Sequence, residues 1–265
     1  MKPERDFIDG EPATPQALAR LAASGFGHFT TMPLRAGAVP GLELHLARLD
    51  QASHTLFGCG LPPERVREQL RRALRGLSDA WLRISVSAAN WTARDMPQPA
   101  QLQVFIQARA AAEPRRAPVR LQSVLHQRYL PDIKHSGLFD LFDLRRRVQL
   151  AGFDDVLLKD GTGRISEGST WNLGALRDDT LFWPDAPRLQ GTTMQLLAQE
   201  WENLGGQVVT RVLDSAALAR MQLVFCCNAG GVWPVASLDE VPLAMNAQLL
   251  ERLRSCLATA PASVP

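Results

Sequence analysis

The chain has 265 residues, enough for one large domain or two small ones, and its 46% apolar and 21% charged make-up is that of an ordinary globular protein. A net charge of +2 argues against nucleic acid as the main partner, and no apolar run approaches the roughly 20 residues that cross a bilayer, so no membrane partner is expected. The cysteines, at 59, 226, 227 and 256, show no CxxC spacing and no Cys/His cluster, so no metal is expected; with the charged opening of residues 1–10, this leads to the expectation of a reduced, cytoplasmic protein.

In chain order, residues 5–12 read as a short strand ending at the turn pair Asp9-Gly10, and Thr14 caps a helix running to Ser24. Strands follow at 28–34 and from Ala38, around the turn Arg35-Ala36-Gly37. From Leu42 the apolar spacing becomes helical, and Pro62-Pro63 opens a second helix ending near Leu77. Residues 80–88 and 101–108 alternate as strands do. The Pro-flanked, charged stretch at 112–118 reads as a linker, which divides the chain into an N-terminal α/β domain, 1–111, and a C-terminal domain, 119–265.

Beyond the linker, 119–126 alternates as a strand and 138–151 has helical spacing. Residues 153–158 and 164–166 form a hairpin, and a second hairpin turns at Arg177-Asp178-Asp179. An amphipathic helix spans 192–204, stopped by Gly205-Gly206. A strand at 207–213, a short helix capped by Asp214, a buried strand at 223–227 and a terminal helix at 244–258 complete the chain. Many antiparallel strands with interspersed helices predict a barrel-like α+β domain. The Arg-rich stretches at 64–75 and 145–147 fall in helical patterns and read as solvated faces.

Three lysines stand against twenty-six arginines. Lys2 is near the terminus, and Lys159 opens the turn Lys159-Asp160-Gly161-Thr162-Gly163. Lys134 alone lies between mostly apolar segments, where an ammonium is costly to desolvate. Lysine offers what arginine lacks, an amine that burial can neutralise and that attacks carbonyls. Three further segments add parts. Glu167 sits at a strand end beside Gly168, where a carboxylate can face a ligand. Gly191-Thr192-Thr193 opens a helix whose N–H groups suit phosphate. Arg48 in the helix from Leu42 offers a bidentate phosphate contact. An amine, a carboxylate and two phosphate contacts are the parts that pyridoxal phosphate needs.

The order of these segments resembles the class IV aminotransferase family, the fold-type IV pyridoxal phosphate enzymes, over nearly the whole chain. Gly27-His28-Phe29-Thr30-Thr31 resembles its early strand, His45-Leu46-Ala47-Arg48-Leu49 its phosphate-binding helix, and Ile133-Lys134 its Schiff-base lysine. The most specific match is Phe153-Asp154-Asp155-Val156-Leu157-Leu158 followed by Gly163-Arg164-Ile165-Ser166-Glu167-Gly168-Ser169 and Asn172. Gly191-Thr192-Thr193 is similar to its phosphate turn, and Asn228-Ala229 to a later loop near the phosphate. The resemblance implies a small N-terminal α/β domain, a larger C-terminal pseudo-barrel domain, a cofactor between them and a homodimer. It implies that Lys134 is the catalytic residue and holds pyridoxal 5'-phosphate, with Glu167 at the ring nitrogen and Arg48, Thr192, Thr193 and Asn228 at the phosphate. Phe29, Thr31, His135, Trp171 and Trp233 are candidate pocket residues.

The implied activity is amino transfer between an amino acid or amine and a keto acid. The alternatives are a 4-amino-4-deoxychorismate lyase releasing pyruvate and 4-aminobenzoate, and a non-catalytic ligand-binding descendant. Phe139 stands where branched-chain enzymes carry a tyrosine, and Ser136-Gly137-Leu138 replaces the residues that follow Lys-His in many lyases. Gln190 takes the place of the usual proline before the Gly-Thr-Thr turn.

Overall fold

The computed structural model describes residues 4–23, 25–92, 94–111 and 113–265; Lys2, the expected helix end at Ser24 and the first linker residue, Ala112, lie outside them. The chain forms two compact units. The first is Met1–Ala112 together with Ile133–Gly137 and Pro261–Pro265, and the second is Glu113–Asp132 together with Leu138–Ala260.

In the first unit the elements run β1 (Arg5–Ile8), β2 (Glu11–Pro12), α1 (Pro15–Ala23), β3 (His28–Leu34), β4 (Val39–Pro40), α2 (Leu42–Phe57), α3 (Pro63–Ala73), β5 (Ala80–Ala88) and β6 (Leu102–Arg109). Five strands form an antiparallel sheet in the order β2-β1-β6-β5-β3. Alternation decides which side of it is core: Ala80, Leu82, Ile84 and Val86 of β5 are buried, and the residues between them less so. They pack with Leu42, Leu46, Leu49 and Phe57 of α2 and Val66 and Leu70 of α3. Both ends of α2 are glycines in the left-handed region, Gly41 and Gly58, and at Gly58 a Cβ would also meet the side chain of Gln98. Pro63 at the first position of α3 is pre-set for a helix start.

The second unit runs β7 (Val119–Leu125), α4 (Phe139–Leu150), β8 (Asp155–Lys159), β9 (Ile165–Gly168), β10 (Asn172–Arg177), β11 (Thr180–Pro184), α5 (Thr192–Asn203), β12 (Gln207–Arg211), α6 (Ser215–Leu218), β13 (Leu223–Asn228), β14 (Gly231–Leu238), β15 (Val241–Pro242) and α7 (Ala247–Ala258). A last strand, β16 (Ala262–Ser263), returns to the first unit and pairs with β4. Strands β10, β13, β14, β7, β8 and β9 pair in turn, and β9 pairs back to β10 at Glu167 and Asn172, which closes a six-stranded ring. This is the α+β fold with a pseudo-barrel that the sequence predicts. The ring is not wholly antiparallel. β7 runs parallel to β8, with α4 as the crossover, and parallel to β14; outside the ring, β11 and β12 are parallel, with α5 as the crossover.

β13 explains the uninterrupted apolar run at 223–227. Val224 and Cys226 pack with Leu121, Leu157 and Trp233, whereas Leu223, Phe225 and Cys227 pack with Trp201 of α5 and Leu253 of α7. Both faces are buried, so both are apolar. Among the described residues no helix is long and apolar enough to cross a membrane, and no group of three His, Cys, Asp or Glu is placed to hold a metal ion.

In the first unit Phe57 is fully buried, with ring centroids 5.2 Å from Trp91, 5.8 Å from His28 and 6.0 Å from Phe26. Phe57→Ala is expected to cost about 3 to 5 kcal/mol, read as a lowered denaturant midpoint for the unfolding of this unit.

Candidate active site

β3 is the edge of the five-stranded sheet, and the segment Ile133–Gly137 lies along that edge. His28 and His135 form a bridge, the Phe29 N–H donates to the Lys134 carbonyl at 2.9 Å, and the Ser136 N–H donates to the Gly27 carbonyl at 2.8 Å. Lys134 is thereby pinned by backbone hydrogen bonds next to Phe29. Its Nζ sits 4.9 Å from the centroid of the Phe29 ring, and the Arg83 guanidinium of β5 stands 3.6 Å from the same centroid. Period-two alternation puts Phe29 and Thr31 on one face of β3, with Arg83 opposite Thr31 in register, and His28 and Thr30 on the other.

His28 and Thr30 meet α2. His28 Nε2 is 3.0 Å from Ser53 Oγ, and Thr30 Oγ1 is 2.6 Å from His45 Nδ1. Burial pulls the His28 imidazole down to about 4. His45 falls to about 3, by burial first and then by the positive charges of Arg48 and Lys134. His45 is therefore neutral at physiological pH and close enough to both cations to feel them. Arg48 lies one turn further along α2, half-buried, and desolvation brings its guanidinium down to about 10. An arginine held this way gains from an anionic partner such as a phosphate.

In the second unit Glu167 is 4% exposed, and Arg128, 7% exposed, donates to its Oε1 at 3.0 Å and to the Pro131 carbonyl at 2.9 Å. The same Oε1 accepts from the Leu189 N–H at 3.2 Å, while Asn172 Nδ2 donates to the Leu189 carbonyl at 2.8 Å. Glu167 and Asn172 are register partners across the strand pair that closes the ring, and together they hold both polar groups of one residue two places before Gly191. Gly191 has to be glycine because a Cβ there would collide with Asn172 Oδ1. It is followed by the buried Thr192 and Thr193, and among the described residues no side chain caps this helix start. Uncapped N–H groups with two threonine hydroxyls beside them are suited to a phosphate.

The turn at 169–171, between β9 and β10, is fixed separately. Asp155, 3% exposed, accepts from Ser169 Oγ at 2.6 Å, Trp171 Nε1 at 2.9 Å and Arg145 Nε at 3.2 Å, and Arg145 also donates to Thr170 Oγ1 at 2.7 Å. Asn228 donates to the Thr170 carbonyl at 3.2 Å and accepts from the Gly230 N–H at 2.7 Å, so its side chain braces two loops. Trp171 and Trp233 lie in the buried cluster of the ring, and a Cβ at Gly168 would run into the Trp171 indole. Phe139, the first residue of α4, is 86% exposed.

Thus Phe29, Thr31, Arg48, Lys134 and His135 belong to the first unit, and Glu167, Thr192, Thr193 and Asn228 to the second. Sequence reasoning missed Arg83 and Arg128. Arg83 sits at an outward position of an alternating strand, and Arg128 in a segment with no periodicity; in a chain with twenty-six arginines neither stands out. The donor chemistry fits pyridoxal phosphate: an amine fixed at Lys134, a buried carboxylate at Glu167 and an uncapped Gly-Thr-Thr helix start.

The family described as amino-transferase class IV matches residues 27–238. A probable branched-chain-amino-acid aminotransferase of Rickettsia felis is 30% identical over 100 residues, 37% of this chain, and the match spans only 34% of that relative's length. Among solved structures, a 4-amino-4-deoxychorismate lyase from Pseudomonas aeruginosa superimposes with a TM-score of 0.78 at 29% identity, covering 94% of this chain and 98% of that one. A hypothetical aminotransferase from Mycobacterium tuberculosis in its PLP-bound form gives a TM-score of 0.78 at 20% identity, covering 97% and 98%.

The two buried histidines set a pH dependence. Their folded values lie below the ordinary 6.5, so the unfolded chain binds more protons between that value and about 3 to 4. Stability is full above about 6.5 and is lost as pH falls, with a limiting slope of about 1.4 kcal/mol per pH unit for each histidine. Denaturant unfolding at a series of pH values is expected to show this fall, and His45→Gln is expected to flatten it by about half.

Proposed function

The chain belongs to the class IV aminotransferase family, and we propose that within it this protein is an aminotransferase acting between an amino acid or amine and a keto acid. The cofactor of this family is pyridoxal 5'-phosphate. When bound, it supplies an aldehyde that condenses with an amine and a protonated ring that accepts electron density. Lys134 is proposed to hold it as a Schiff base and, once released, to move the proton at the substrate carbon through Nζ. Glu167 is assigned to the ring nitrogen, where Arg128 and the Leu189 N–H fix its carboxylate. Arg48, Thr192 and Thr193 are assigned to the phosphate. Asn228 acts by bracing the Thr170 loop.

One observation carries the aminotransferase reading: the Lys134 amine and the Arg83 guanidinium flank the same Phe29 ring. An amine that exchanges with amino groups, near a guanidinium that can pair with a carboxylate, matches an amino acid. Burial lowers the pKa of Arg83 from its ordinary value, and an arginine so desolvated gains from a carboxylate partner. The lyase is the second reading, favoured by the 29% identity to the Pseudomonas aeruginosa enzyme over almost the whole chain. A homodimer is also proposed, supported by the exposed Phe139, Phe142 and Leu150 on α4, and sedimentation equilibrium is expected to return twice the chain mass.

The loaded protein is expected to absorb visible light, and borohydride is expected to fix the cofactor covalently to Lys134; Lys134→Ala removes both signals. Single amino acids are expected to convert the cofactor to its amine form in a half-reaction. Pyruvate formation from aminodeoxychorismate, with no half-reaction for any amino acid, would establish the lyase instead. Glu167→Gln is expected to lower kcat about 100-fold. Arg83→Gln is expected to raise KM for the amino acid about tenfold with little effect on kcat.

A further inference from the structure

The second unit contains an open cavity of about 650 Å³ that none of the residues assigned to the cofactor line. Its size is that of a small-molecule site. Arg164, Trp183, Asp185, Arg188, Gln195 and Thr210 form much of its wall, and Gln190 and Met194, which flank the Gly-Thr-Thr turn in the chain, also line it.

Two residues of this wall carry buried donors that find no acceptor among the described residues. Arg188 is 6% exposed; its Nη1 donates to the Ala186 carbonyl at 3.2 Å, but its Nε–H has no partner. Among the described residues no carboxylate lies within ion-pair distance of it. Trp183 is 1% exposed, and its Nε1–H also has no partner. The direction of that N–H follows from packing. The Cζ3 atom of Trp183 lies against Gly174 and the ring packs edge-to-face on Phe225, 5.7 Å between centroids. Cζ3 is at the far end of the indole from Nε1, so the N–H points away from Gly174, and Trp183 is one of the residues of the cavity wall. A buried N–H that has given up water and found no acceptor is destabilising, and native interiors rarely leave two such donors unsatisfied.

The deficit consists only of donors, one on a guanidinium, so the missing group is an anionic acceptor. A carboxylate, planar with two oxygens, suits the edge of a guanidinium plus one further N–H. Asp185 on the same wall penalises a dianion such as phosphate more than a monocarboxylate group. Burial depresses the pKa of Arg188, partly offset by Glu167, Asp185 and Asp132, and a bound anion would relieve that depression. We propose that this cavity is a second ligand site, separate from the cofactor residues, which takes a small organic carboxylate through Arg188 and Trp183 Nε1–H.

The test uses the pyridoxal-phosphate-loaded protein labelled with nitrogen-15. The indole resonance of Trp183 is the one missing from Trp183→Phe. Titration with acetate and with propionate is expected to shift that resonance saturably in the millimolar range while the cofactor absorbance stays unchanged. Arg188→Gln is expected to weaken the effect about tenfold or more. Inorganic phosphate is expected to bind more weakly than either carboxylate. The proposal is overturned by the absence of a saturable shift into the tens of millimolar, by equal binding in Arg188→Gln, by phosphate binding more tightly, or by a response confined to the cofactor absorbance. Should Arg188→Gln fail to fold, Asp185→Asn decides: removing the like charge is expected to tighten carboxylate binding, and unchanged or weaker binding refutes the site. The readout is binding at Trp183, so it is independent of which reaction the protein catalyses.

Discussion

The pairing of Glu167 with Asn172 is the contact on which the second unit depends. It is where β9 meets β10 and the ring of six strands closes, and it sets two polar side chains next to each other in a buried place. Neither could be left there without partners, because an unsatisfied buried amide or carboxylate costs more than most single contacts return. Their solution is shared. Glu167 takes the Leu189 N–H and Asn172 gives to the Leu189 carbonyl, so closing the barrel also sets the position of the helix start two residues later. Arg128 completes the arrangement by neutralising the carboxylate. Breaking a buried pair of this kind by removing one partner costs about 3 to 5 kcal/mol, much of it for the charge left behind.

The first unit solves a different problem, the exposed edge of a sheet. β3 would present unpaired N–H and C=O groups, which proteins usually cover. Here Ile133–Gly137 covers the start of that edge, at Gly27 and Phe29, and the cover is the segment that carries Lys134. An edge that needs a partner strand thus becomes a device for placing an amine, with its height along β3 fixed by the Phe29 and Ser136 hydrogen bonds. His45 then sits near two cations, Arg48 and Lys134. Because burial keeps its imidazole neutral, it adds no third charge to the group and spends its Nδ1 on Thr30.

Much of this was legible in the sequence, and the exceptions have physical causes. Strand β5 alternates so regularly that its bounds follow from pattern alone, and α5 is framed by Thr192 and the Gly205-Gly206 stop. β14 carries no clear strand pattern in the sequence, because Gly231 and Pro234 argue against a central strand. It is tolerated because its pairing with β7 begins only at Val235, which leaves Pro234 at the end of that ladder. The second strand of the 28–40 hairpin shrinks to Val39–Pro40 because its partner is β16, some 220 residues away, and no local pattern encodes that. The parallel pairs leave no local pattern for the same reason: hairpins are local, whereas β7 with β8 and β11 with β12 are joined across whole helices. Of the site, Lys134, Glu167 and Gly191 carry local signatures of scarcity, strand end and helix start. Arg83 and Arg128 carry none, because what distinguishes them is a neighbour distant in sequence, Phe29 in one case and Glu167 in the other.

The two networks of the second unit differ in what they permit. The turn at 169–171 is tied to Asp155 by Ser169 and Trp171, to Arg145 through Thr170 Oγ1, and to Asn228 through the Thr170 carbonyl, and Gly168 is packed against the Trp171 indole, so this loop has no room to adapt. The helix start after Leu189 is held as tightly. Such a platform suits groups that are the same in every turnover, a ring nitrogen and a phosphate, since preorganised dipoles lose nothing to reorganisation when charge develops. The face bearing Phe29, Thr31 and Arg83 is of another kind. Thr31 and Arg83 are only partly buried, and among the described residues the Arg83 side chain makes a single hydrogen bond, to Ser85, beside its contact with Phe29. Selectivity for one substrate over another is therefore expected to reside in the side chains of β3 and β5, where substitution leaves the Leu189 and Asp155 networks intact.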